Sequence, residues 1–288
     1  MSLEEFGKVY EKKDLYEYNT YRVHSICNYL VIVDNVVKLT NLILYLNKEN
    51  IKYLIIGNGS NIILPSVYDG VVIKLNLNDI EFKGDKVIVG SSYMINKLAM
   101  ECINKGLSGL EWASGIPGTI GGSIYGNAGA YKDEIANYIE EIEVLENNHI
   151  KILKKNDIFF EYRSSSLQKR DLIILKATLK LNKGDINESL ALVKDRLERR
   201  IATQPLDFPS AGSVFRNPEG LFAGKLIEDL NLKGTKIGGA EISKKHANFI
   251  INSDNANGED IVKLISLIKD KVKDEYNIDL ILEQKIVN

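Results

Sequence analysis

An α+β fold divided into more than one domain is what this sequence predicts, and three observations carry that expectation. Short apolar runs bounded by Gly, Asn and Asp turns recur between residues 29 and 181, the pattern of strands. Stretches with apolar residues at helical spacing lie among them, at 37–47 and 94–105. Near Lys183-Gly184-Asp185 the composition changes, and a long charged amphipathic stretch opens a separate α+β region. A chain of 288 residues is long enough for two modest domains or one large one, with ample core.

In chain order, residues 1–14 read as a polar lead-in, helical or loose. The run at 29–33 predicts a buried strand, 37–47 a helix, and 53–56 a short apolar strand that ends in Gly57-Asn58-Gly59-Ser60-Asn61. Strand, helix, strand and glycine turn make a βαβ-like unit, whose loop lies where open α/β sheets bind ligands. Short strands are expected at 71–75, 80–82 and 86–89, then an amphipathic helix at 94–105 in which Cys102 is a packing residue. Alternation at 139–145, 150–153 and 172–181 predicts further strands. After Gly184 come a charged helix at 186–202, a loop held between prolines at 204–218 and a helix at 221–230. Two short strands, a helix at 259–276 and a final strand at 278–287 complete the chain.

Composition excludes several classes of function. The formal charge of −2 gives no reason to expect nucleic acid or an anionic membrane as a partner. The N-terminus, MSLEEFGKVYEKKD, lacks the apolar core of a secretory signal, and no apolar run approaches the roughly 18–20 residues that span a bilayer. Cys27 and Cys102 are too few for a disulfide framework, so a cytoplasmic, reduced protein is expected. His24, His149 and His246 are scattered without metal-ligand spacing, and no metal site is expected.

The segment 115–131, GIPGTIGGSIYGNAGAY, has glycine at six of seventeen positions. That density weakens helix and strand alike but lets a ligand approach the main chain with no Cβ in the way. With no charge inside the segment, a phosphate held there would rest on backbone N–H groups. A glycine-rich crossover without a ligand fits the same composition. The turn at 57–61 fails as a dinucleotide fingerprint, because Ile62 stands where GxGxxG needs its third glycine, and no GxxxxGK[ST] occurs. Ser213, after Gly212 in the proline-bracketed loop, could present a hydroxyl to a ligand or be an ordinary turn residue. The fifth position of GxSxG is Phe215, which argues against a hydrolase elbow. Arg163, at the end of an aromatic strand, could grip a carboxylate or phosphate, or be a surface arginine. Glu283 lies in the last strand beside Lys285, where an exposed glutamate is the plain alternative.

Taken together and in order, GNGSN (57–61), GIPGTIGGSIYGNAGAY (115–131), EYRSS (161–165), PSAGSVFRNP (209–218), FAGKLIEDLNLKG (222–234), IGGAEISKKHANFIIN (237–252) and LEQKI (282–286) closely resemble the UDP-N-acetylenolpyruvoylglucosamine reductase family. The resemblance covers roughly residues 17–288. It implies a two-subdomain FAD-binding fold of the vanillyl-alcohol-oxidase (PCMH) type over 17–183, with subdomains at about 17–75 and 76–183. An α+β substrate-binding domain over 184–288 would follow, with 1–16 as the lead-in. Gly57, Asn58, Gly59, Ser60 and Asn61, with Gly115, Pro117, Gly118, Thr119, Gly121 and Gly122, would cradle a non-covalent FAD. Tyr131 and Lys225 would contact substrate, and Arg163, Ser213 and Glu283 match the catalytic positions.

The implied reaction, in peptidoglycan precursor synthesis, reduces UDP-N-acetylglucosamine-enolpyruvate to UDP-N-acetylmuramate with NADPH as donor, in a cytoplasmic monomer. Arg163 and a protonated Glu283 would stabilise the enolate-like species, and Ser213 would protonate its α-carbon. The chain departs from the family at Arg22-Val23-His24-Ser25-Ile26, where relatives carry a paired glycine. The short loop after Arg163 places it in the family's short class, and little chain follows Glu283. A flavin oxidase of the same fold and a non-catalytic nucleotide sensor are the alternatives.

Overall fold

The computed structural model describes residues 2–288. The chain forms two compact units that are discontinuous in sequence. One takes the chain up to Tyr10 together with 29–58 and 70–198; the other takes 11–28, 59–69 and 199–288. A single boundary at Gly184 does not anticipate this, because 11–28 and 59–69 join the C-terminal residues.

The first unit holds two hydrophobic clusters. One forms under helix α1 (Val36–Lys48), whose Leu39, Leu42, Ile43 and Leu46 recur at helical spacing and are buried. The Asn35 side chain caps α1 by accepting from the N–H groups of Val37 and Lys38. Beside it the strands Tyr53–Ile56 and Val67–Leu75 pair in parallel, Ile56 opposite Lys74. The full sheet order is Lys8–Asp14, Ile26–Val33, Val67–Leu75, Tyr53–Ile56. The lead-in is therefore corrected: Lys8–Asp14 is an edge strand rather than helix or loose chain. Its charges hide it from an apolar-pattern reading, yet charged residues are what a sheet edge tolerates best.

The other cluster packs beneath a five-stranded antiparallel sheet, ordered His149–Lys154, Ile139–Glu146, Leu172–Lys180, Lys86–Gly90, Ile80–Lys83. Helix α2 (Ile95–Asn104) buries Ile95, Leu98, Ala99 and Cys102 there, and burial pushes the Cys102 thiol up to about 12, as suits a packing residue. The glycine-dense segment supplies helix α3 (Ile120–Tyr125), which glycine content alone argues against. Thr119 compensates as its N-cap, and Ile120 and Ile124 are fully buried.

In the second unit the strands Lys236–Ile237, Ala240–Ile242 and Ile250–Asn252 form an antiparallel sheet. Helix α6 (Gly258–Tyr276) contacts that sheet and buries Ile261, Leu264, Ile265, Ile268 and Val272. Asn257 caps its start and Asn277, at φ 55°, ends it in the left-handed region. Helix α4 (Ile186–Thr203) spans the division at 198–199, and α5 (Ala223–Asp229) belongs to the second unit. The expected last strand at 278–287 is also corrected. Only Lys285–Ile286 is a strand, paired in parallel with Ile62–Ile63, while Leu282 makes an isolated bridge to Phe215. The segment changes partners along its length, so no continuous ladder forms.

Candidate active site

In the first unit the two glycine segments meet. The strand Tyr53–Ile56 runs into Gly57, where a Cβ would stand 2.7 Å from the Thr119 hydroxyl oxygen. Only glycine permits that approach. Asn58 Nδ2 donates to the Pro117 carbonyl at 2.8 Å, and Lys74 Nζ donates to the carbonyl of Gly57. The N–H groups of Ile120 and Gly121 are taken by the carbonyls of Tyr93 and Ser91, at 2.9 and 2.8 Å, and Gly122 donates to Thr119 Oγ1 at 3.3 Å. Gly121 is needed for close packing, since a Cβ there would lie 3.0 Å from that of Ser91. The N–H groups of Gly57, Asn58, Gly118 and Thr119 have no acceptor among the described residues. The Gly115 N–H likewise has no acceptor among the described residues, and Pro117 has no N–H to offer.

Arg163 occupies the turn between the short strands Phe160–Glu161 and Ser164–Ser165, at φ 56°. Its half-buried guanidinium donates to the Gly129 carbonyl at 2.5 Å and lies 5.0 Å from the Tyr162 ring centre. Left-handed backbone at a non-glycine residue is uncommon and concentrates at functional sites. Tyr131 is likewise left-handed; its hydroxyl donates to the Arg196 carbonyl at 3.0 Å, and the Arg196 guanidinium lies 4.8 Å from its ring.

The second unit brings together Ser213, Glu283 and residues 59–61. Phe215 and Leu282 bridge, Arg216 donates its N–H to Ile281 O, and Glu283 donates its N–H to Val214 O at 2.8 Å. Ser213 is thus set one residue from the carbonyl that holds Glu283. The Glu283 carbonyl in turn accepts from Asn61 Nδ2 at 3.1 Å, and Lys285 donates its N–H to Asn61 O. Gly59, at φ 65°, has no room for a Cβ against the Tyr18 carbonyl, and its own carbonyl accepts from the N–H of Thr20. The N–H groups of Gly59 and Ser60 have no acceptor among the described residues. Lys225 is exposed on α5 in an ion pair with Asp229, one turn along the helix.

Three residues that sequence reasoning did not single out hold this arrangement. Asn248 accepts from the Phe215 N–H and donates to the Phe215 carbonyl, at 3.0 and 2.8 Å. Gln284 donates to the carbonyls of Ala211 and Gly212 and accepts from the Tyr21 hydroxyl at 2.9 Å. All three are buried, and burial drives the Tyr21 phenol well above its usual range. The available signal was an amide inside an apolar run, as in Ala247-Asn248-Phe249-Ile250; Gln284, between Glu283 and Lys285, carries no such signal.

Comparison with known proteins agrees with this division of labour. Residues 27–148 match an FAD binding domain family, and residues 204–287 match the C-terminal domain of UDP-N-acetylenolpyruvoylglucosamine reductase. The reductase of that name from Caldanaerobacter subterraneus is 41% identical over 98% of this chain and 94% of its own. That of Thermotoga maritima is 42% identical over 90% and 91%. The crystal structure of the reductase from Thermus caldophilus superimposes with a TM-score of 0.83 at 30% identity, covering 98% of each chain. Full-length identity at this level, one fold throughout and matches to both the FAD-binding and the C-terminal domains lead to one conclusion: the chain belongs to the UDP-N-acetylenolpyruvoylglucosamine reductase family of FAD-dependent oxidoreductases.

Proposed function

We propose that this protein reduces the enolpyruvyl ether of UDP-N-acetylglucosamine-enolpyruvate to UDP-N-acetylmuramate, with NADPH as electron donor, in the cytoplasm. The observation that carries the reading is the bridge that sets the backbone of Glu283 against Val214, the residue after Ser213, in a family member. The glycine cradle suits FAD: amides without acceptors among the described residues point to an anion, and the missing Cβ of Gly57 lets the turn lie against Thr119 at the other glycine segment. When bound, FAD supplies the hydride that the β-carbon of the enolpyruvyl group accepts.

The chain's own residues then manage charge and a proton. Negative charge develops on the α-carbon and spreads into the adjacent carboxylate. Arg163 answers it with a planar guanidinium that can hold two oxygens at once, and Glu283, in its acid form, with a hydrogen bond. Ser213 delivers the proton to the α-carbon. Its hydroxyl has no partner among the described residues, and a carbanion is basic enough to draw a proton from an alcohol. Tyr131 and Lys225 are assigned to substrate contact on the family resemblance.

Rapid mixing of the two half-reactions tests this. In Ser213→Ala, flavin reduction by NADPH should stay near the wild-type rate while reoxidation by the enolpyruvyl substrate slows by ~10²–10⁴-fold, the usual worth of a positioned general acid. Ser213→Cys should recover part of the loss. Equal slowing of both halves would reduce Ser213 to a turn residue.

A further inference from the structure

The first unit carries a cation that the glycine motifs do not contain. Lys74 lies on the strand Val67–Leu75, opposite Ile56, the last residue before the 57–61 turn. Its neighbours Ile73 and Leu75 are buried, and the lysine itself is only part-exposed. The ammonium donates to the Gly57 carbonyl, and no carboxylate pairs with it among the described residues. Burial alone moves its proton affinity, downward, with no acidic neighbour to offset it. A part-buried, uncompensated charge is unfavourable for the protein by itself, so its retention calls for something that compensates it.

Its position says what. The carbonyl it holds belongs to the residue that abuts Thr119, and the next residue, Asn58, bonds to Pro117. Lys74 therefore stands where both glycine segments meet, beside amides that have no protein acceptor. Those amides are neutral donors; Lys74, bonded to the carbonyl of Gly57, brings a positive charge to the same turn.

We infer that Lys74 is the electrostatic anchor of the cofactor's pyrophosphate: its charge stabilises the bound dianion, and its hydrogen bond to Gly57 sets the loop that receives it. The inference rests on the reading of 57–61 and 115–122 as the FAD cradle. It predicts that the residue serves binding and does not serve the stability of the empty protein.

The test is FAD titration of apoprotein, followed by flavin fluorescence, for the wild type, Lys74→Met and Lys74→Arg. Lys74→Met keeps the apolar stem and loses the charge. Its Kd for FAD should rise about 10- to 100-fold, near the low end of the loss for a buried charge pair because Lys74 stays part-exposed. The salt dependence of binding should flatten, riboflavin, which lacks phosphate, should bind as in the wild type, and the apoprotein Tm should not fall. Lys74→Arg should retain most of the affinity. Unchanged FAD affinity in Lys74→Met would overturn the inference. So would equal losses for FAD and riboflavin with a lowered apoprotein Tm, which would make Lys74 a structural tether. Failure of wild-type apoprotein to bind FAD would instead overturn the cradle reading together with the inference.

Discussion

Gln284 should be worth more to the loop that carries Ser213 than its neutral side chain suggests, and Gln284→Met shows how much. Methionine keeps the volume at a position only 3% exposed and removes every hydrogen bond the amide makes. Three are lost: Tyr21 Oη to Oε1 at 2.9 Å, and Nε2 to the carbonyls of Ala211 and Gly212 at 3.1 and 3.2 Å. The last two come from one nitrogen and count as little more than one strong bond, so the net loss is about 2 kcal/mol at ~1 kcal/mol each. The fully buried Tyr21 hydroxyl is then stranded, which adds about 1–2 kcal/mol. A destabilisation of ~3–4 kcal/mol follows. Tyr21→Phe removes only the other end of the first bond and should cost about 1–2 kcal/mol. In the double variant the stranded hydroxyl no longer exists, so it should be more stable than the sum of the singles by ~1 kcal/mol or more. Urea denaturation of the four proteins, with slopes checked for constancy, gives the coupling energy. Additivity within about 0.5 kcal/mol would mean that Tyr21 and Gln284 do not support one another, and the account of how the Ser213 loop is held would fall.

Other outcomes follow from single features. Gly57→Ala should fold but lose FAD on gel filtration, because the new Cβ would stand 2.7 Å from Thr119 Oγ1; a variant that stays yellow at full occupancy counts against the cradle. Arg163→Lys should slow reoxidation by substrate and spare reduction by NADPH, since a point charge cannot reproduce a planar two-point grip; slowing of reduction would contradict the assignment. Glu146 is held at about 2, against 4.5 for a free glutamate, by Arg170 first and Lys151 second. With the folded value depressed, the stability it contributes is complete above about pH 4.5 and is lost as the pH falls from there toward 2. Glu146→Gln should lose less stability across that window, as acid titration followed by circular dichroism would show.

Sequence reading went furthest where one periodicity persists over several turns. Helix α2 repeats its apolar residues at 95, 98, 99, 102 and 103, and its bounds were legible within a residue. The strand Tyr53–Ile56 is all apolar and ends at a glycine turn, so it too was plain. Lys8–Asp14 was not, because an edge strand has one neighbour and no continuous apolar face to announce it. Helix α3 escaped notice because four of the first five residues after Gly118 look poor for a helix, while its support comes from a cap and from burial of Ile120 and Ile124. In the site, Ser213 and Glu283 could be named from motif order, but nothing local announces that Glu283 would share a bond with Val214. The pair Tyr21 and Gln284 is 263 residues apart in sequence, beyond the reach of any local pattern.

The way Ser213 is held has a consequence for how the activity should be read. Every bond described above that fixes its loop is neutral: backbone to backbone, or to the amides of Asn248 and Gln284, with the Tyr21 hydroxyl behind them. Neither amide titrates, and burial moves the Tyr21 phenol further from neutrality. A scaffold of ion pairs would loosen as its members changed charge; this one keeps its geometry across the physiological range. Loop distortion therefore has no reason to shape the pH dependence of the half-reaction with substrate, and inflections in it belong to groups that change charge during the chemistry. A Glu283→Gln variant, which keeps a hydrogen-bond donor but cannot titrate, should erase an inflection that arises from Glu283 and leave the Tm of the protein nearly unchanged. An inflection that survives the substitution would have to be assigned to another ionisable group.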